Sequence, residues 1–307
     1  MKRKNLAGRM PIRNALACIL AALIWGIAFT GQSVGAEEMD SFAFVGLRFL
    51  MGAAVLLPVA AIRRKRNSAA ERQPLLKEIP GGILCGLALG AATTLQQYGI
   101  AHVAVGKASF LTALYIIIVP CLSFLLTHRS KTRVWAAVLI AIVGLYFLCV
   151  EPGEAFSMGI WECALVGAAF VNAVQIMLVD HFTHRADAIE LSFLQFLTAG
   201  IAGTLAALLR GTLILSGLSS DAVVSLLYVG IISSGIGFTL QVVGQKGADP
   251  AIASLLMSLE APFGAIAGFV LLQQTLSRWE LIGCVWMLVA IVLSQLPERH
   301  IKDVTGS

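Results

Sequence analysis

Apolar residues run along this chain in long unbroken stretches, and charge is confined to the gaps between them. Ten such runs lie near residues 14–34, 41–61, 79–99, 105–126, 134–150, 159–179, 190–209, 222–243, 252–272 and 279–296. Nearly all reach the ~18 residues that a helix needs to cross a hydrocarbon core of about 30 Å, and the run at 134–150 is the shortest. Helices are the expected form, because backbone groups in lipid must find partners within their own segment. A membrane β-barrel would show alternating strands of about ten residues, and no such alternation is present. The pattern predicts an all-α membrane protein with ten transmembrane helices.

Composition agrees with that reading. The 307 residues are 58% hydrophobic and 13% charged, with mean hydropathy +0.86, against about 25% charged in soluble domains. Charge in the gaps sets a direction. Lys2, Arg3, Lys4, Arg9 and Arg13 precede the first run, and Glu37, Glu38 and Asp40 follow it. Next come the basic stretch 63–78, the near-neutral 101–107, the basic 128–133 and the acidic 151–154. Basic flanks face the cytoplasm, so ten crossings leave both termini inside. The net charge of +5 and pI near 9.0 follow from this asymmetry and do not argue for nucleic acid. The first run, ending near SVGA (33–36), mimics a secretory signal. It is longer than the usual h-region, and cleavage would remove a helix that the internal repeat requires. Six cysteines fall on six different predicted helices with neither CxxC nor metal spacing, which reads as small residues at helix contacts.

The chain repeats itself. Shifted by 145 positions, Gly90 meets Gly235, Gln96 meets Gln241, Gly99 meets Gly244, Ala108 meets Ala253, Leu111 meets Leu256, Leu114 meets Leu259, Phe124 meets Phe269 and Arg133 meets Arg278, without a gap. The expected halves are 1–153 and 154–307, with five helices each. Because five is odd, the second half enters the membrane from the opposite side, and the repeats are inverted. Inverted repeats characterise alternating-access transporters, whose site lies near the midplane between the repeats.

Specific strings sharpen this. LIWGIAFT (23–30), LRFL (47–50), LQQYGIAHVAVGKASFLTALYIIIVP (95–120) and LQVVGQKGADPAIASLLMSLEAPFGAIAGFVLL (240–272) together resemble the EamA family of the drug/metabolite transporter superfamily, over about residues 14–296. The resemblance implies two inverted five-helix bundles, secondary transport of small metabolites, and a cavity lined by the first, third, fourth, sixth, eighth and ninth helices. Family members commonly carry an adjacent Glu-Pro in the ninth helix; here Ala261 separates Glu260 from Pro262.

Candidate chemistry centres on Glu260. The ninth helix is expected to start at Asp249–Pro250, an N-cap followed by proline at the first helical position. Ten residues on, at about 1.5 Å each, the chain is near mid-bilayer, where a charge costs about 2.5–3.5 kcal/mol. Glu260 then either faces a wet cavity, holding a cationic group or a proton, or stays protonated or paired with a neighbour simply to hold helices together. Pro262 frees the carbonyl of Ser258, and Pro120 in the fourth helix falls on a similar face, so both are expected helix breaks. Arg48 either pairs with Glu260 or snorkels to the interface. Asn172 and Gln175 share a helical face. Gln96 and Gln97, with Gln241 as the match of Gln96, meet substrate or bridge helices. Trp25 meets Phe170 in the repeat frame and Tyr115 meets Glu260, making Tyr115 the candidate of helix four. Gly82, Gly86 and Gly90, and likewise Gly264 and Gly268, form small-residue stripes for close packing.

No GxxxxGK[ST] or HExxH string occurs. The one GxSxG match, GQSVG (31–35), ends an apolar helical run instead of making the strand-to-helix turn of a hydrolase. Neither ATP hydrolysis nor a common hydrolase site is therefore expected on this chain. His102, His128, His181, His184 and His300 fall in loops or at helix ends. No catalytic residue, cofactor or metal is expected. The expected function is secondary transport of small organic metabolites (amino acids, amines or drug-like solutes) across the cytoplasmic membrane, with export implied by the family resemblance alone. The expected partners are a small-molecule substrate and the lipid bilayer, with proton coupling and homodimerisation left open. The rival is a membrane enzyme or sensor for a lipid-like ligand, but no cluster of catalytic groups at one depth is evident.

Overall fold

The computed structural model describes residues 10–66, 75–103, 105–127, 132–150, 158–184, 186–272 and 277–296. Among these no strand occurs. The first half supplies α1 (Ile12–Glu38), α2 (Ser41–Arg66), α3 (Leu75–Ile100), an interrupted α4 made of α4a (Val105–Ala113) and α4b (Tyr115–Thr127), and α5 (Thr132–Cys149). The second half supplies α6 (Ile160–Thr183), α7 (Ala188–Leu209), α8 (Ser220–Gln245), an interrupted α9 made of α9a (Pro250–Met257) and α9b (Glu260–Leu272), and α10 (Arg278–Gln295). Nine passes among the described residues are long and apolar enough to span a bilayer; the apolar stretch of α5, Thr132–Leu148, is shorter.

Helix ends are set where a side chain can take over the free N–H groups of the first turn. Asp249 accepts from Ala251 N at 3.0 Å, with Pro250 as the first residue of α9a. Asp187 caps α7 through Ile189 N at 2.9 Å. Ser277 and Glu280 form a reciprocal capping box at α10.

The surface is turned inside out relative to a soluble protein. Large apolar side chains such as Leu57, Leu125, Leu208 and Val292 point outward, and small residues fill the helix contacts. Lipid is as apolar as leucine, so close backbone approach rather than water exclusion holds helices together. A methyl group added to Gly283 of α10 would lie 2.6 Å from the carbonyl oxygen of Gly144 in α5. The stripe Gly82, Gly86 and Gly90 faces Leu194, Gln195, Thr198 and Ala199 of α7, a packing role. Gly264 packs on Gly26 of α1, while the surroundings of Gly268 lie outside the described residues.

Pairing of the helices reveals the symmetry. Helix α2 packs on its own counterpart α7, and α5 on its counterpart α10. Contacts α3–α6 and α3–α7 in one sense are answered by α8–α1 and α8–α2 in the other, and α4–α6 is answered by α9–α1. Exchanging the halves therefore reproduces the packing. With five passes per half, counterpart helices run in opposite directions, which is the inverted arrangement expected from the repeat.

Ion pairs mark the two ends of the bundle. On the face where α1 begins, Arg64 reaches Glu190 at 2.8 Å and Glu78 at 3.9 Å, and Arg63 reaches Asp187 at 3.6 Å. On the opposite face Lys107 meets Glu162 at 2.7 Å, and Ser219 bonds Glu38 at 2.5 and 2.8 Å. The basic segment 1–9, the acidic 151–154, His128 and His300 lie outside the described residues.

Candidate functional site

Both interrupted helices break at the same place in the repeat. In α4 the break falls at Leu114, whose N–H bonds Leu111 O at 3.3 Å, while Ile117 N reaches Leu114 O at 3.0 Å. In α9 it falls at Ser258–Leu259, where Leu259 N bonds Leu256 O and Ala261 N bonds Ser258 O, both at 3.3 Å. These bonds span three residues instead of four, a locally tightened turn. At α9 the cause is Pro262, which has no N–H to offer the carbonyl of Ser258, so Ala261 takes its place. At α4 the expected cause fails: Pro120 sits inside α4b, more than a turn beyond Leu114, and the break has no proline behind it.

Each break starts a new helix on a candidate residue. Tyr115 opens α4b and Glu260 opens α9b, and the Tyr115 hydroxyl donates to Glu260 Oε1 at 3.3 Å, joining residues 145 apart across the seam. Both are buried. The carboxylate also stands at the N-terminus of α9b, where the helix dipole favours negative charge.

Around this bond lies a cavity with about 570 Å³ of empty space, its open side included, within the range of about 300–1,000 Å³ usual for small-molecule sites. Glu260, Tyr115, Trp25, Arg48, Gln96, Asn172 and Gln241 all line it, bringing α1, α2, α3, α4, α6, α8 and α9 together. Gln175 does not line it. It lies fully buried behind the wall, donating to Gln195 Oε1 at 3.2 Å and accepting from Gln241 Nε2 at 3.1 Å. Trp25 packs against Phe238 with ring centroids 4.7 Å apart and planes tilted by 52°, and donates to Ser233 O at 3.4 Å. Its repeat match Phe170 is half exposed on the outer surface, so an aromatic wall on both sides does not form.

Arg48 departs from both readings of the sequence. It neither snorkels nor pairs with Glu260; it is 2% exposed, with Nε on Ser234 Oγ at 2.9 Å and Nη1 on Gln32 Oε1 at 3.0 Å. Gln97 Nε2 in turn donates to Gln32 O at 2.9 Å, leaving Gln96 as the glutamine of this pair that lines the cavity. A chain of polar contacts thus links α2, α1 and α3. The counterpart helices α7, α6 and α8 carry a matching chain, Gln195–Gln175–Gln241.

The resemblance placed the eighth helix at the cavity, but the form of its wall and the roles of Ser233 and Ser234 were not expected. Residues Tyr228–Phe238 form a π-helix, whose wider turn supplies the Ser233 carbonyl and Ser234 hydroxyl to Trp25 and Arg48. Such insertions frequently occur at functional sites. The signal was a Ser-Ser-Gly at 233–235 within an apolar run. Gln32, Thr93 and Thr112, which also line the cavity, are ordinary polar residues in helices and carry no sequence mark.

A helical membrane bundle of two inverted halves, with a cavity of mixed polar and apolar lining beside two broken helices, is the arrangement of an alternating-access transporter. The sequence profile of the EamA-like transporter family matches the chain twice, over residues 13–150 and 159–296. The chain belongs to that family. It is 24% identical over 284 residues to an uncharacterised transporter of Archaeoglobus fulgidus, covering 92% of this chain and 85% of that one. It is 26% identical over 279 residues to a probable terminal-alkyne amino-acid exporter of Streptantibioticus cattleyicolor, covering 87% and 88%. It is 22% identical over 297 residues to the uncharacterised inner membrane transporter YedA of Escherichia coli, covering 94% and 91%. A crystal structure with 16% identity superposes with a TM-score of 0.76 over 92% of this chain and 96% of the other, a likeness of fold.

Proposed function

We propose that this transporter exports small organic metabolites bearing an amino group across the cytoplasmic membrane, by alternating access between its two halves (1–153 and 154–307). The observation that carries this is the Tyr115–Glu260 bond at 3.3 Å, which joins the two broken helices beside the cavity. A site on the seam of two inverted repeats can be exposed to either side by rocking one half against the other. A carboxylate among aromatics suits an ammonium group. The name of the Streptantibioticus relative supports both the amino-acid class and the outward direction, and that of YedA supports the inner membrane. Proton coupling runs through Glu260 in this reading, the carboxylate taking up a proton in one orientation and releasing it in the other.

Purified protein in proteoliposomes tests it. The wild type should show pH-driven counterflow of an amino-bearing solute, and Glu260→Gln should lose the pH-driven part while keeping its elution profile and melting behaviour. Undiminished coupling in that variant would remove Glu260 from the mechanism.

A further inference from the structure

Among the described residues the buried charge at Arg48 has no partner of opposite sign. Its two hydrogen bonds go to neutral acceptors, Gln32 and Ser234, and its guanidinium carbon lies 5.2 Å from the Phe49 ring centroid. Those bonds engage Nε and one Nη1 proton. The remaining donors on Nη1 and Nη2 are the ones that grip a carboxylate in the guanidinium fork.

Architecture does not require this charge. The corresponding contact of the other half, α7 to α6, is made by Gln195 and Gln175, two neutral amides. That half bridges its helices without a buried cation, whereas Arg48 brings one to the cavity wall while reaching both α1 and α8. Burial of an unneutralised charge is costly, and ionisable groups kept inside membranes mark ligand paths. Here the group lines the same cavity as Glu260. Two residues of that lining also carry a buried polar atom with no hydrogen-bond partner among the described residues, Ser233 Oγ and Gln241 Oε1.

We infer that Arg48 is the anchor for a carboxylate on the substrate, and that the cavity selects zwitterions, the carboxylate held by Arg48 and the ammonium by Glu260. This rests on the transport reading above and narrows it: simple amines and cationic dyes lack the group that Arg48 needs. The neutral tethers suit that role. Gln32 and Ser234 fix the plane of the fork without competing for its charge, and Gln97 holds Gln32 in turn through its carbonyl.

The test compares ligands on the unaltered protein, so that it does not depend on a variant folding. Binding to detergent-purified protein is measured by titration calorimetry for each proteinogenic amino acid, its amide, its decarboxylated amine and its N-acetyl derivative. At least one free amino acid should bind, and its amide and amine should bind roughly tenfold to a hundredfold more weakly, the usual worth of a hydrogen-bonded charge. Arg48→Gln should abolish that preference, and Arg48→Lys should restore part of it. Amides or amines binding as tightly as the parent acid would overturn the proposal, as would failure of every free acid to bind. Flux in proteoliposomes separates the two ideas. Amines carried as fast as acids would sink the anchor and leave the transporter standing; zwitterions bound but never carried would do the reverse.

Discussion

Tyr115 and Glu260 hold equivalent positions in the two repeats, and they touch because each begins the second piece of a broken helix. Neither is replaceable by its counterpart, since a phenol and a carboxylate form a bond that two carboxylates or two phenols in the same place would form less well. Removing the hydroxyl with Tyr115→Phe leaves a buried carboxylate without its side-chain donor, at a cost of about 1–3 kcal/mol. The variant should melt at a lower temperature in detergent and show slowed transport, whereas Tyr146→Phe, at a half-exposed surface position, should leave both unchanged. Equal melting and flux for the two variants would mean that the bond across the seam carries nothing.

At the scale of elements, the broken helices and the π-helical turn of α8 are what expose backbone and side-chain groups to the cavity. Close approach of α1 to α9b sets their spacing. An added methyl at Gly26 would lie 2.7 Å from the Glu260 carbonyl oxygen and 2.7 Å from Gly264 N, against backbone that cannot move aside. Gly26→Val should therefore cost about 1–3 kcal/mol in overpacking and disturb substrate binding by shifting α9b. Gly90→Ala offers the control, because its methyl would meet Ala199 Cβ at 3.4 Å, an ordinary contact. Thermal melting of both variants checks the contrast: Gly26→Val should fall well below wild type and Gly90→Ala should stay close to it. Of the two breaks, the one in α9 was legible, since Pro262 leaves Ser258 O without its usual donor. The break at Leu114 was not, because no residue near it forbids a helix; only its repeat match at Leu259 hinted at it.

Over the whole molecule, inversion follows from the odd number of passes in each half, and the membrane supplies its direction. Reporter tags placed after Asn5 and after Thr305 should both report the cytoplasmic side in intact cells, as the basic 63–65 stretch on the same face as the start of α1 requires. Tags on opposite sides would contradict an even number of crossings. A tag between Gly217 and Ser219, in the connection before α8, should report the far side.

The sequence by itself determined the run of crossings to within a few residues, the start of α9, the duplication and the residues to follow. These follow from local causes: the length of an apolar run, a capping aspartate before a proline, a recurring residue at fixed spacing, an ionisable group where charge is expensive. The tertiary structure alone decided which way each polar side chain turned. Gln96 faces the cavity while its neighbour Gln97 faces Gln32, Asn172 faces the cavity while Gln175 turns to α7, and Arg48 is held inside by a serine 186 positions away. Such choices depend on which helices lie on either side, and in a bundle whose surface and interior are both apolar, hydropathy does not distinguish the two faces of a helix.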